Sequence, residues 1–359
     1  MREPVPFLFS ADGDVLICGD GPELLVYSAV DGSPRWKLFG DDVVVGLAQA
    51  ANEVVAVDAA GNLQFYRALD GRLDRTVALG VAALGLAGSD SGAVGVITSA
   101  GVHVLPRGGA PRLVSAPGAT AAAFGPGGGS LGVGTSDGRF IAIDPASGGA
   151  WGEIALGGPV GGVAWSARGH WVVTAGARWL LVSGDGSSVV AELSALEAAG
   201  GPVAVSSDGL IAATVVGLNE VHVAELYTNA AAGSLTFRRA VGDLSFGPGA
   251  QLGIGLDDGD GMCMELHSQN TVRTEPHPGR GRNAWNMDAQ LDGGMLRGAL
   301  ANATVAGASI AVYTGPKPPE PTPWWKVALG VGGGCMVLIG GTMLLLMVTS
   351  WALYMRGLI

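Results

Sequence analysis

Residues 1–315 carry short apolar runs separated by turns rich in glycine, proline, serine and aspartate. Residues 160–166 and 170–175 are two such runs, joined by the turn at residues 167–169. Turns of the Asp-Gly type between alternating runs, as at Asp137-Gly138, indicate antiparallel hairpins. No segment of this part has a long amphipathic period, so the pattern predicts strands rather than helices.

The runs recur in units of four strands with a period of about 40 residues. The two clearest units have predicted strands at 119–124, 131–135, 140–144 and 151–156, and at 160–166, 170–175, 179–183 and 188–193. The units are expected to start near Phe7, Val43, Val81, Ala119, Pro159, Pro202, Val241 and Ala284. One such sheet is too small to bury both faces, so the units must stack around an axis. The sequence therefore predicts an all-β fold, a β-propeller of eight blades, with seven as the alternative if the last unit is an irregular cap.

Three stretches resemble known propeller repeats. Residues 124–138 and 246–259 resemble the inner half of a WD40 blade, and residues 26–36 are similar to the quinoprotein-like repeat. The resemblance covers about residues 7–315 and implies a propeller that serves as a scaffold, with no cofactor. The chain departs from the WD40 pattern because no blade ends in Trp-Asp and Gly169-His170 stands in a different turn.

The C-terminal residues have the pattern of a membrane anchor. No charged residue occurs from Val327 to Met355, which as a helix would extend roughly 43 Å against about 30 Å of bilayer hydrocarbon. Side chains that favour the membrane interface flank this stretch: Trp324, Trp325, Lys326, Trp351, Tyr354 and Arg356. The sequence predicts a propeller at 1–315, a proline-rich, extended linker at 316–323 and a transmembrane helix at 324–356.

Glycines within the predicted transmembrane helix indicate contact with other helices. Gly330 and Gly334 form a small-xxx-small pair, and Gly333 and Gly340 lie two turns apart on one face. Small residues allow a second helix to approach closely, although glycine is common in membrane helices in general. We expect this face to pack against other transmembrane helices.

The flanking sequence indicates the side of the membrane. Residues 1–7 have no apolar run with a cleavage site, so no secretory signal is predicted. Lys317 and Lys326 precede the helix and only Arg356 follows it, which favours a body in the cytoplasm. The composition, with more arginine than lysine and abundant alanine and glycine, is typical of a GC-rich bacterial genome. A tail-anchored, single-pass protein of the inner membrane is predicted; the alternative is the reverse topology.

Charge and motifs exclude several functions. The net charge of −11 argues against nucleic acid as a partner, because phosphates require a basic surface. No catalytic, cofactor or phosphate-binding motif occurs, and we predict none of these sites. Oxygen ligands that calcium prefers occur at Asp257, Asp258, Asp260 and Glu265. Their spacing differs from that of an EF-hand, and a solvated hairpin turn is the favoured interpretation.

These features predict a membrane-anchored propeller scaffold, an accessory protein-binding subunit of a larger inner-membrane assembly. Its expected partners are membrane lipid, other transmembrane helices and cytoplasmic proteins bound on a propeller face. The alternative is a ligand sensor or enzyme centred on the propeller channel. That alternative requires acidic, histidine or arginine side chains on the first strand of several units, where valine, alanine, glycine and phenylalanine predominate.

Overall fold

The structure is a computed structural model, and it describes residues 6–10, 13–28, 34–40, 42–68, 70–193, 201–228, 230–237, 240–247, 251–256, 261–266, 271–276 and 309–311. The chain divides into two units, residues 1–315 and 316–359. All of the described residues belong to the first unit, so the fold below is that of this unit alone.

The described residues form seven sheets, and in each sheet the first four strands pair in chain order as an antiparallel meander. The first three sheets contain β1 (Phe7–Phe9), β2 (Val15–Asp20), β3 (Glu23–Ser28), β4 (Pro34–Phe39); β5 (Val44–Ala50), β6 (Glu53–Asp58), β7 (Asn62–Arg67), β8 (Leu73–Ala78); and β9 (Gly85–Gly88), β10 (Val94–Thr98), β11 (Gly101–Leu105), β12 (Arg112–Ser115). The fourth and fifth sheets contain β13 (Ala119–Phe124), β14 (Leu131–Thr135), β15 (Arg139–Ile143), β16 (Ala150–Ala155); and β17 (Val160–Ser166), β18 (His170–Ala175), β19 (Arg178–Ser183), β20 (Val189–Glu192). The last two sheets contain β21 (Val203–Val205), β22 (Ile211–Val216), β23 (Glu220–Glu225), β24 (Ala230–Thr236); and β25 (Val241–Phe246), β26 (Gln251–Leu256), β27 (Gly261–Leu266), β28 (Thr271–Pro276), β29 (Ser309–Ala311). A 3₁₀ turn, Pro126–Gly128, connects β13 to β14.

The hydrophobic core lies between the sheets. Successive side chains of a strand point to opposite faces, and in β2 and β3 both faces are buried. Ile17 and Val26 pack with residues of the second sheet, whereas Leu16 and Leu25 pack on the other side with Phe7 and Phe9. Six apolar clusters each combine residues of two consecutive sheets. This arrangement explains the unbroken apolar runs of the middle strands, because both faces of these strands are covered at their centres wherever the structure describes their burial.

The ring closes where the seventh sheet contacts the first. The backbone nitrogen of Phe7 donates to Asp243 Oδ2 at 3.2 Å, and that of Phe9 donates to Ser245 Oγ at 3.2 Å. The aromatic rings of β1 lie over Gly253, where an added Cβ would stand 2.2 Å from Phe7 Cε1. Because the first and seventh sheets are neighbours, the favoured prediction of eight blades is wrong.

The predicted eighth unit, starting near Ala284, lies outside the described residues except for β29. This strand pairs in parallel with β28 and extends the seventh sheet to five strands. The sequence pattern predicts a separate unit here because an alternation of apolar residues is the same whether the strand begins a new sheet or extends an existing one.

Strand positions were otherwise predicted closely. The strands at 119–124, 131–135, 160–166 and 170–175 have the predicted bounds, and the first strands of the other sheets begin within a few residues of the predicted starts. Within the described residues, no helix has the length and hydropathy needed to span a bilayer. The segment predicted to be transmembrane, 324–356, lies outside those residues and stays a prediction.

Candidate functional site

The first strands of the seven sheets surround a central channel with a cavity of about 340 Å³. Apolar side chains from several sheets form much of its wall, including Val45, Leu47, Leu84, Leu86 and Ile97. Elsewhere the wall of the cavity is formed by the backbone of glycine residues. Thr120 and Ser245 add hydroxyl groups. Polar atoms nevertheless form more of the exposed lining than hydrocarbon does, and apart from the side chains of Thr120, Ser245 and Asp243 they are backbone atoms.

Asp243 is the only ionisable residue among the described residues that line this cavity. Its carboxylate accepts two backbone hydrogen bonds, from Phe7 N to Oδ2 at 3.2 Å and from Leu244 N to Oδ1 at 2.8 Å. Burial raises the pKa of Asp243 from 3.8 to about 6, against the opposing effect of the two N–H donors. In the described part of the chain no lysine or arginine forms an ion pair with this carboxylate.

Asp243 occupies a position that carries a small residue in other sheets. Each of four inner strands has an irregularity in its pairing at the same place, immediately before Gly46, Ala121, Gly162 and Asp243. A Cβ added at Gly46 would lie 2.8 Å from Leu86 N, and one at Gly162 would lie 2.7 Å from Val203 N. In both cases the contact is with the backbone of the next inner strand. At the ring closure this position is occupied by Asp243, whose carboxylate accepts a hydrogen bond from the backbone of β1.

Sequence analysis did not identify Asp243, because an isolated aspartate in an apolar strand has no motif. The detectable signal was the departure from glycine or alanine at the equivalent position of the other units. Only an alignment of the units in three dimensions establishes that equivalence.

Asp243→Asn is expected to remove a pH dependence of stability that the native protein has between about pH 4 and about 6. The folded state has the higher pKa, so in this window it holds a proton that the unfolded chain has already released. The contribution of Asp243 to the free energy of unfolding therefore falls as the pH rises from 4 to 6 and is constant above that. Urea unfolding of both proteins at several pH values measures the difference. Asparagine lacks one acceptor and adds a pH-independent offset; two profiles that stay parallel between pH 4 and 7 would contradict the prediction.

A second candidate site is a series of exposed apolar side chains on one face of the ring. Each lies beside the connection between the third and fourth strands of its sheet, and these connections share one edge because all of the sheets are antiparallel meanders. We call this set the apolar rim: Leu73, Leu113, Trp151, Val189, Val190 and Tyr227. It extends over five consecutive sheets, from the second to the sixth. Trp151 has the bulkiest side chain of this set, and its exposed fraction is 53%.

Tyr227 of the apolar rim is held by the neighbouring fifth sheet. Its hydroxyl lies 2.9 Å from Ser166 Oγ and 3.3 Å from His170 Nδ1. Ser166 Oγ in turn donates to Gly209 O at 2.9 Å, so Ser166 Oγ accepts a hydrogen bond from the Tyr227 hydroxyl. That hydroxyl accepts a hydrogen bond from His170 when the Nδ1 of the ring carries the proton. The guanidinium of Arg168 stands 5.3 Å from the Tyr227 ring. An ordered tyrosine beside an arginine is a combination typical of protein-binding surfaces.

The calcium-site candidates are not brought together in the described residues. Glu265 lies on β27, opposite Gln251 and Arg273 in the strand register. Asp257, Asp258 and Asp260 lie outside the described residues, so their role as ligands stays a prediction. Elsewhere in the described part of the chain, no group of three or more His, Cys, Asp or Glu residues is placed to hold a metal ion.

The residues predicted to contact the membrane also lie outside the described residues. These are the helix-packing glycines and the interface residues: Gly330, Gly333, Gly334, Gly340, Trp324, Trp325, Lys326, Trp351, Tyr354 and Arg356. Their assignments stay predictions from the sequence.

Sheets of four short strands stacked around a central channel define a β-propeller, and this is the fold of the described residues. Among solved structures, the chain is similar to the β-propeller domain of Cps50 (Swd1) from Myceliophteria thermophila, with a TM-score of 0.61 and 14% sequence identity. The match covers 71% of this chain and 94% of that domain. At this identity the likeness shows the fold alone. No protein-family model matches the chain, and the comparison with curated proteins gave no match.

Proposed function

We propose that this protein is a membrane-anchored propeller scaffold, an accessory subunit that binds a protein partner within a larger inner-membrane assembly. The observation that carries the proposal is the apolar rim, which repeats an exposed apolar side chain at the same edge of five consecutive sheets. Isolated exposed apolar residues are normal on protein surfaces. Their recurrence at equivalent positions on one face is what favours a binding surface.

The chemistry of the apolar rim suits a protein partner. Trp151 and Tyr227 are aromatic residues of the type that contributes most to binding energy at interfaces. Exposed Arg72 stands next to Leu73, and Arg112 stands next to Leu113. Arg112 is held in place by donating to the carbonyl oxygens of Pro145 and Ala146 in the following sheet. Arg168, 5.3 Å from the Tyr227 ring, places a cation beside an apolar anchor, which favours a partner surface that combines apolar and acidic groups.

The anchoring part of the proposal rests on the sequence of residues 324–356. An uncharged stretch of this length between aromatic and basic residues is typical of a single transmembrane helix. We propose that the propeller lies on the cytoplasmic side and that Gly330, Gly333, Gly334 and Gly340 pack against helices of the same assembly.

Replacing Trp151 and Leu113 together by alanine is expected to release the partner without unfolding the propeller. Both side chains are exposed, so the melting temperature should change little, whereas loss of two apolar anchors should weaken binding at least tenfold. The measurement is extraction of the full-length chain from membranes in a mild detergent, followed by size-exclusion chromatography and identification of copurifying chains. Leu218→Ala is the matched control, because Leu218 is exposed by 67% but lies on the opposite face, in the β22–β23 hairpin.

A native chain that is released by salt or alkali without detergent would contradict the anchor. A detergent-extracted native chain that elutes as a monomer with no copurifying protein would contradict the scaffold role. If the double variant retains the partner as well as the native chain does, the partner binds at a surface other than the apolar rim. Protease digestion of intact spheroplasts distinguishes a cytoplasmic propeller, which is protected, from the reverse topology.

A further inference from the structure

The carboxylate of Asp243 has an unusual environment for a charged group. It lies on the wall of a cavity of about 340 Å³ whose other described lining residues are all uncharged. Burying a carboxylate away from bulk water is unfavourable unless an opposite charge or several donors compensate it. Two backbone N–H groups compensate it in part. No cationic side chain of the described residues completes the compensation.

Both oxygens of Asp243 keep the capacity to accept further hydrogen bonds. An ionised carboxylate offers about four lone-pair directions, and here each oxygen accepts one backbone donor. The two donors also fix the orientation of the carboxylate, since they come from different strands, β1 and β25. A fixed anion on the wall of a cavity whose described lining has no cationic side chain favours a ligand that carries one positive charge and at least one N–H donor.

The walls indicate the class of cation. A calcium or magnesium ion requires several oxygen ligands, whereas the lining has a single carboxylate and two hydroxyl side chains, those of Thr120 and Ser245. Leu84, Leu86 and Ile97 present hydrocarbon to the same space. The cavity is at the lower end of the range of small-molecule sites, about 300–1,000 Å³. These dimensions fit a compact hydrocarbon body with one ammonium group.

We propose that the central channel binds a small organic cation, a primary ammonium on a compact apolar body, with the Asp243 carboxylate as its counter-ion. The net charge of the chain, −11, raises the local concentration of cations around the ring. The proposal concerns the channel and is independent of the apolar rim, so either can fail without the other.

The test is isothermal titration of the full-length protein in detergent with benzylammonium chloride, and a titration into detergent alone is subtracted. Benzyl alcohol has the same ring and nearly the same volume but no charge, so it isolates the contribution of the carboxylate. We expect saturable binding of benzylammonium, at least tenfold weaker binding of benzyl alcohol, and at least tenfold weaker binding of benzylammonium by Asp243→Asn. Asp90→Asn is the matched control. It removes one negative charge from an exposed turn that does not line the cavity, so it should bind as the native protein does.

A pH series on the native protein provides a second measurement that needs no variant. Affinity for benzylammonium should fall at least fivefold from pH 7.5 to pH 5, because the carboxylate becomes protonated while the ammonium stays charged. The strands packed around Asp243, which are β1, β21 and β26, carry no other ionisable residue in their described ranges. Absence of saturable benzylammonium binding, equal affinity for the alcohol, or an affinity unchanged by both Asp243→Asn and pH would overturn the proposal.

Discussion

Trp171→Ala is expected to lower the free energy of unfolding by about 3–5 kcal/mol, which is a large part of the stability of a typical domain. Trp171 lies on β18 and is fully buried. Its ring centre is 4.6 Å from that of Trp165 and 5.7 Å from that of Phe140, so it joins the fourth and fifth sheets. Its Nε1 donates to Gly184 O at 3.0 Å. Alanine would leave a cavity at this seam and a carbonyl oxygen without its donor.

Urea unfolding followed by tryptophan fluorescence and circular dichroism measures the loss. Trp171→Phe should have an intermediate effect, because it keeps most of the ring but not the N–H group. Trp151→Ala removes an exposed tryptophan from the adjacent sheet and should change stability by less than about 0.5 kcal/mol. A loss below about 1 kcal/mol for Trp171→Ala would mean that the stability of the protein does not depend on this contact between the fourth and fifth sheets.

Gly88→Ala is expected to destabilise the protein by about 3 kcal/mol, the upper end of the usual cost of overpacking. Gly88 lies on β9, and an added Cβ would stand 2.0 Å from the carbonyl oxygen of Gln49 on β5. The obstacle is the backbone of the neighbouring sheet, so relief requires the two sheets to separate. Gly85→Ala on the same strand is the control, because its Cβ would meet only the end of the Ile97 side chain, at 3.3 Å.

Thermal unfolding of the two glycine variants beside the native protein separates packing from backbone entropy, since both substitutions reduce the freedom of the unfolded chain equally. We expect Gly85→Ala to lie within about 1 kcal/mol of the native stability. Equal melting temperatures for the two variants would show that the seam between the second and third sheets is looser than the structure has it.

Much of the fold could be predicted because its determinants are local. A strand such as Val160–Ser166 ends where a turn begins, and its apolar run is visible without knowledge of its neighbours. The number of sheets could not be predicted in the same way. It depends on the contact of Phe7 with Asp243, two residues 236 positions apart, and no pattern within one unit reveals which units are adjacent in the ring.

The candidate sites show the same division. The tail residues were selected by hydropathy, by the aromatic and basic residues that flank the apolar stretch and by glycine spacing, all of which are local properties, and they stay predictions. Asp243 was passed over because its importance comes from six other strands that meet it at the channel. The exposure of Trp151 likewise depends on the sheet to which its strand belongs, because alternate side chains of an outer strand face away from the adjacent sheet.

By itself, the sequence determined the strand-and-turn repeat of residues 7–256, since hairpin turns and runs of branched or small side chains act over a few positions. Only the tertiary structure decided that the seventh sheet meets the first, that a lone carboxylate faces the channel and that six apolar side chains share one edge. Those features arise from packing between sheets, where a residue's neighbours come from distant parts of the chain and its own identity does not specify them.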